Sequence, residues 1–236
     1  MGRAYEVRKA SIQKTGAARG KIYSMYAREI YEVAKNGGTE LESNVALKRL
    51  VDKAKKEQVP SDIIKRAIDK VNSGADESYS TVRYELFGPN GSNVIVDCLT
   101  DNVNRSVSLI RAALNKTSAK MGAMGSVAFM YDNLCIVSFK GLTEEETLEA
   151  LIEAGLDADI ELQGDSIVLY GKPSDLYAIK EAILAKKQVE FDVDEISMIP
   201  KDTVKLEGEA LEDFQKLLNL LDEIEDVNHV YHNVEL

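Results

Sequence analysis

Between Lys21 and Ala34 the apolar residues Ile22, Met25 with Tyr26, Ile30 and Val33 recur at steps of three and four, the spacing of one face of an α-helix. Asn36-Gly37-Gly38 then supplies the left-handed stop that helix C-termini favour. Asn44 is placed to cap a second helix, in which Leu47, Leu50, Val51 and Ala54 follow i, i+3, i+4, i+7. Pro60-Ser61 opens a third, carrying Ile64, Ala67, Ile68 and Val71 on the same spacing. Each helix is too short to be stable alone, so the pattern predicts one small three-helix bundle. The polar, glycine-containing stretch Asn72–Ser78 closes it.

From Tyr79 the period changes to two. Thr81–Phe87 and Asn93–Thr100 alternate like strands around Gly88-Pro89-Asn90-Gly91, a hairpin signal. Val103, Val107, Ile110 and Leu114 return to helical spacing, and after a glycine-containing stretch at 121–125 a strand is expected over Ser126–Tyr131. The next seventy residues read strand Leu134–Lys140, helix Glu144–Ala154 capped by Thr143, strands Ala158–Leu162 and Ser166–Gly171, helix Pro173–Ala185 and strand Gln188–Ile199. This β-α-β-β-α-β order is the ferredoxin-like pattern. A strand near Thr203–Leu206, a helix Ala210–Ile224 and a strand Val227–Val234 are too few to fold alone and complete the unit begun at Thr81. The expected fold is therefore α+β: an N-terminal three-helix domain followed by two ferredoxin-like α/β domains, one inserted in the other. The expected boundaries are 1–75, 76–131 plus 201–236, and 132–200 for the insert.

The formal charge of −11 over 236 residues argues, as an average, against a polyanionic partner. Resolved along the chain it does not. Residues 1–75 hold 16 basic and 9 acidic side chains, net +7, whereas the remainder holds 13 and 31, net −18. Such asymmetry points to a nucleic-acid-binding part joined to something else. On the second helix Arg49, Lys53 and Lys56 share a face away from the apolar stripe. Ahead of the bundle, Arg3, Arg8, Lys9, Lys14, Arg19, Lys21 and Arg28 are opposed only by Glu6 up to residue 28. A basic arm before a basic bundle suits tracking of a phosphate backbone.

Other chemistry finds little support. The longest uncharged stretches, such as Met121–Tyr131, are too short for a membrane span, and the charged start does not read as a secretory signal. Two cysteines, Cys98 and Cys135, without clustered histidines suggest neither a disulfide framework nor a zinc site, so a reducing cytoplasm is expected. His229 and His232, three apart in a strand, point to opposite faces. The glycines at 122 and 125 match no nucleotide cradle, and no catalytic set, metal site or cofactor is expected. The acidic runs Glu144–Glu146 and Asp222–Asp226 read as solvated helix faces. Arg105 stands apart. Just after the cap candidates Asp101 and Asn102 it opposes the helix dipole, which implies an anionic neighbour, either a phosphate or a carboxylate of the protein.

At the level of motifs the chain resembles the YebC/PmpR-type proteins, including their YeeN-like branch. The resemblance rests on Arg19-Gly20-Lys21-Ile22-Tyr23 with Arg28-Glu29-Ile30, on Pro60-Ser61-Asp62-Ile63-Ile64 with Arg66-Ala67-Ile68, and on Tyr84-Glu85-Leu86-Phe87-Gly88-Pro89-Asn90-Gly91. Thr100-Asp101-Asn102-Val103-Asn104-Arg105, Gly122-Ala123-Met124-Gly125-Ser126-Val127 and Val230-Tyr231-His232-Asn233 continue it in order to the C-terminal region. Two departures are Gly2-Arg3-Ala4-Tyr5 for the usual Gly-His-Ser-Lys-Trp, and Ser118-Ala119 for a frequent glycine pair. The resemblance implies a helical domain followed by two α/β domains and control of gene expression through nucleic acid. It implies either a cytoplasmic DNA-binding regulator of transcription or an RNA-binding, ribosome-associated factor that activates translation or relieves stalling at proline-rich stretches. DNA or ribosomal RNA is the expected partner of the basic part, and ribosome or transcription machinery that of the acidic domains; no membrane partner is expected.

Overall fold

The computed structural model describes residues 19–74 and 77–236. The chain is α+β, with N-terminal helices followed by two four-stranded antiparallel sheets, one α/β part inserted in the other. Contacts divide it into two compact units, one holding the described residues up to Val127 together with Leu206–His232, the other Ala128–Lys205 with Asn233–Leu236.

In the first unit, helices α1 (Arg19–Gly37), α2 (Val45–Lys56) and α3 (Ser61–Asn72) form the bundle. Tyr26, Ile30, Ala34, Leu47, Val51, Ala54, Val59, Ile64 and Ala67 make its core. Gly38 ends α1 at φ +92°, with its amide donating to Ala34 O at 2.9 Å, a conformation that is unstrained only without a Cβ. Asn44 does double duty. Its Oδ1 accepts from Leu47 N at 3.0 Å to cap α2, while Nδ2 donates to Val33 O and Gly38 O at 3.1 and 2.7 Å, tying the start of α2 to the end of α1.

The same unit contains a sheet of order β3-β1-β2-β9, with β1 Ser80–Phe87, β2 Asn93–Thr100, β3 Lys120–Met121 and β9 Val227–His232. Helix α4 (Val103–Leu114) packs on β2 and β3 and against α7 (Gly208–Asp222), which also covers β9. Phe214 of α7, fully buried, stands edge-on to His232 at 5.5 Å. The strand expected over Ser126–Tyr131 is absent. Ala128–Met130 is a 3-10 turn, and the third strand is the two-residue β3. The cause is Glu85, buried at the centre of β1: its carboxylate accepts from Gly125 N at 2.6 Å and from Val127 N, and its backbone oxygen accepts from Gly122 N at 2.7 Å. Amides held this way cannot enter a ladder.

The second unit is a ferredoxin-like sheet of order β5-β6-β4-β7, built from β4 Tyr131–Lys140, β5 Ala158–Gln163, β6 Ser166–Gly171 and β7 Phe191–Pro200. Helices α5 (Glu144–Glu153) and α6 (Leu176–Lys186) bury Leu151, Ile179 and Ile183 against Cys135, Val137, Phe139, Ile167 and Leu169. Thr143 and Glu146 form a reciprocal capping box at the start of α5. A short parallel pair, β8 (Val204–Lys205) with β10 (Val234–Glu235), joins the last residues to this unit. No helix among the described residues is long and apolar enough to cross a membrane.

Candidate nucleic-acid interface

Of the basic residues singled out by the charge pattern, Arg3, Arg8, Lys9 and Lys14 lie outside the described residues. Arg19 is exposed at the start of α1. Because Leu47, Val51 and Ala54 turn into the core, α2 presents Lys48, Lys55 and Lys56 to solvent, with Arg49 and Lys53 half-buried beside them. Lys53, Lys55 and Lys56 occupy its last turn, where the helix dipole favours cations. On α3, Lys65, Arg66 and Lys70 are exposed, Arg66 paired with Asp62 and Lys70 with Glu77.

Lys21, Arg28 and Arg105 are placed differently. All three bind carboxylates or carbonyls of their own unit. Lys21 Nζ donates to the carbonyl of Asp222, the last residue of α7, and lies 3.3 Å from its Oδ1. It thus neutralises the negative end of that helix. Arg28 reaches Glu225 O at 2.6 Å with Nη2, and Leu99 O and Asp226 Oδ1 at 3.5 and 3.4 Å with Nη1. Arg105 grips Asp226 with two nitrogens, Nε to Oδ2 at 3.1 Å and Nη2 to Oδ1 at 2.7 Å, and Nη2 also meets Asp101 Oδ1 at 2.7 Å. Ser106 Oγ adds a fourth donor to Asp226 at 2.8 Å.

Asp226 is therefore the hub of a clamp between α1, the start of α4 and the loop after α7. Its side chain is 3% exposed, against 12% for Arg28 and 45% for Arg105. Burial pushes its carboxyl up, and the hydrogen bonds from Arg105 and Ser106 with the Arg105 charge outweigh this and hold it below its ordinary value. The Arg105 guanidinium is raised by the same bonds to Asp226 and Asp101. Burial lowers Lys21, against the opposing pull of Asp222. The dipole argument for an anion beside Arg105 thus meets a carboxylate distant in sequence, and the Asp222–Asp226 run, expected to be a solvated face, holds two of the clamp's anchors.

Further contacts along α1 extend this seam. Glu29 accepts from Asn228 Nδ2 at 2.8 Å and lies 3.4 Å from His229 Nε2. Glu32 accepts from Tyr79 N at 3.2 Å, and Tyr31 stands edge-on to Tyr79 at 6.0 Å. An open cavity of about 420 Å³ borders the clamp, lined by Arg28, Tyr79, Asp101, Arg105, Leu109, Glu225 and Asp226. Among the described residues no group of His, Cys, Asp or Glu is arranged to hold a metal. The sequence signal for this seam was the mixed sign on one helix face: Lys21, Arg28, Glu29 and Glu32 lie at i, i+7, i+8 and i+11, a face that needs partners of both signs.

Comparison with known proteins gives concordant matches over nearly the whole chain. Residues 3–74 match the TACO1/YebC protein N-terminal domain, and residues 79–234 match the TACO1/YebC second and third domain. A "probable transcriptional regulatory protein" of Marinobacter nauticus is 47% identical, covering 100% of this chain and 99% of its own length. One of the same description from Vibrio parahaemolyticus is 46% identical over the full length of both. A crystal structure of a conserved hypothetical protein from Aquifex aeolicus superposes with a TM-score of 0.74 at 32% identity, covering 94% of this chain and 92% of that one.

Proposed function

The chain belongs to the TACO1/YebC family, whose relatives carry the description of transcriptional regulators, and from that premise we propose that it controls gene expression by binding a nucleic-acid backbone through its N-terminal basic part. The observation that carries the reading is the segregation of charge, net +7 before residue 76 and net −18 after it. Within the basic part, Arg49, Lys53 and Lys56 with Lys48 and Lys55 on α2, together with Arg3, Arg8, Lys9, Lys14 and Arg19, are the proposed phosphate contacts. Lys21, Arg28 and Arg105 act behind them, orienting α1 through Asp222 and Asp226. Helix α3 offers Lys65, Arg66, Asp69 and Lys70, a set with little capacity to read base edges, which favours recognition of backbone and shape over sequence.

The test is a salt titration with the full-length protein. Neutralising about five phosphates gives a slope of log K against log salt near −4.5 on duplex DNA, and about −3.5 on a single strand. Replacing Lys55 and Lys56 by Gln should flatten the duplex slope by about 1.8. A slope near zero, or one indifferent to these substitutions, refutes the reading. DNA and RNA targets are separated by cosedimentation with ribosomes from cytosol, with and without ribonuclease. Loss of the association on ribonuclease treatment assigns the protein to translation, and retention on DNA alone assigns it to transcription.

A further inference from the structure

Strand β5 forms one edge of the inserted unit's sheet, and among the described residues β6 is its only neighbour. Its six residues contain neither proline nor bulge, so its outer backbone groups are arranged to accept another strand. The strand has two chemically distinct faces. Ala158, Ile160 and Leu162 stand opposite Gly171, Leu169 and Ile167 of β6, on the side covered by the helices. Asp159 and Glu161 stand opposite Tyr170 and Val168 on the other side.

The helix beside this edge is unusual in what it exposes. Glu149 and Glu153 of α5 turn toward α6, where Lys186 Nζ lies 3.0 Å from each. Leu148 and Ile152 are rotated about 100° from them, to the flank away from α6 on a helix that packs beside β5, and remain 49% and 67% exposed. Leu162 is 55% exposed on the same side of the sheet. Three large apolar side chains of β5 and the helix packed beside it are thus exposed on the helix-covered side of the sheet. Their surroundings are strongly acidic, since residues 128–205 hold 17 Asp or Glu against 7 Lys or Arg. Glu161 also keeps one buried carboxylate oxygen, Oε2, without a hydrogen-bond partner, while Oε1 accepts from Gln163 at 3.2 Å.

We propose that this edge is a docking site for an extended basic segment of another protein, which adds as a strand to β5 with alternate apolar and Lys or Arg residues. The added strand's apolar side chains continue the row Ala158, Ile160, Leu162 beneath Leu148 and Ile152, and its cations meet Asp159 and Glu161. Charge selects this occupant over a second copy of the chain. Antiparallel self-pairing centred on Ile160 sets Asp159 opposite the partner copy's glutamate at the 161 position, twice, and brings two acidic units together. The inference does not rest on the nucleic-acid reading, because the residues are different and of opposite charge.

The test uses the full-length protein and two synthetic ten-residue peptides, one alternating Lys with Val and one alternating Glu with Val. Amide exchange is read along the chain, and affinity is read by titration. The Lys-Val peptide should slow exchange at β5 and bind at least about tenfold more tightly than the Glu-Val peptide. Leu148→Lys with Ile152→Lys, both surface changes, should weaken it about tenfold. Absence of protection at β5, protection elsewhere instead, or equal binding of the two peptides would overturn the proposal. So would protection of β5 without peptide, which would give the edge to a second copy if it grew with protein concentration and to the chain itself if it did not.

Discussion

Replacing Asp226 by Asn probes the clamp with little change of shape. The native carboxylate is 3% exposed and accepts from Arg105 at 2.7 and 3.1 Å, from Ser106 at 2.8 Å and from Arg28 at 3.4 Å. An amide removes the charge that balances two guanidinium groups and turns one acceptor into a donor facing other donors. Removing one partner of a buried ion pair costs about 3–5 kcal/mol. Arg105 is 45% exposed and keeps Asp101 at 2.7 Å, so the cost falls below that range, to about 2–3 kcal/mol. With a urea m-value of about 2 kcal/mol/M, the midpoint should fall by about 1–1.5 M near neutral pH. Amides of α1 should exchange faster while those of β4–β7 do not change. Because the folded-state pKa of Asp226 is depressed, its contribution is present above about pH 4, the unfolded value, and is lost as pH falls through the folded value. The gap between wild type and variant must therefore narrow below about pH 4. A midpoint shift under about 0.3 M at neutral pH, or a gap of the same size at about pH 3, would refute the account.

Two further outcomes follow from local geometry. Asn44→Ala removes the cap on α2 and both bonds to the end of α1, and should lower stability by about 2 kcal/mol; a loss under about 0.5 kcal/mol by thermal or urea unfolding would show that the junction does not depend on that side chain. Gly171→Ala would place a methyl carbon 2.6 Å from Ile179 Cδ1 and 3.2 Å from Cys135 Sγ, so the inserted unit should lose about 1–3 kcal/mol while the helical bundle keeps its exchange rates. Unchanged exchange throughout β4–β7 would count against the close packing described.

The parts of this fold that were legible in the sequence are those decided by neighbours in the chain. Gly38, Thr143 and the cap that Asn44 gives α2 act within four residues of themselves, and the period of the apolar stripes marks the three helices and the βαββαβ insert. What stayed hidden depends on distant partners. The 126–131 segment has strand-like composition, yet Glu85, some forty residues earlier, takes the amides of Gly125 and Val127 at its start. Lys21 and Arg28 carry the same charge as the cations of α2, and the dipole argument that gives Arg105 an anionic neighbour does not say which; that Asp222 and Asp226 lie against them is set by residues some 120 to 200 positions away. Charge composition identified the basic part; only the tertiary placement of carboxylates divides its residues into those that face outward and those that hold the bundle in position.

Asp226 is separated from Arg28 by 198 positions and from Arg105 by 121. During synthesis from the N-terminus, at roughly 5–20 residues per second, the bundle, strands β1–β3 and the whole of β4–β7 are made before the hub residue and β9 exist. For that interval of several seconds the sheet lacks its edge strand, and two arginines remain without their buried carboxylate. The inserted unit can close first because its sheet is contiguous in the chain. A released chain that ended short of residue 226 would keep the insert's sheet and lose the carboxylate between Arg28 and Arg105, so the hold on α1 depends on a residue made after everything it holds.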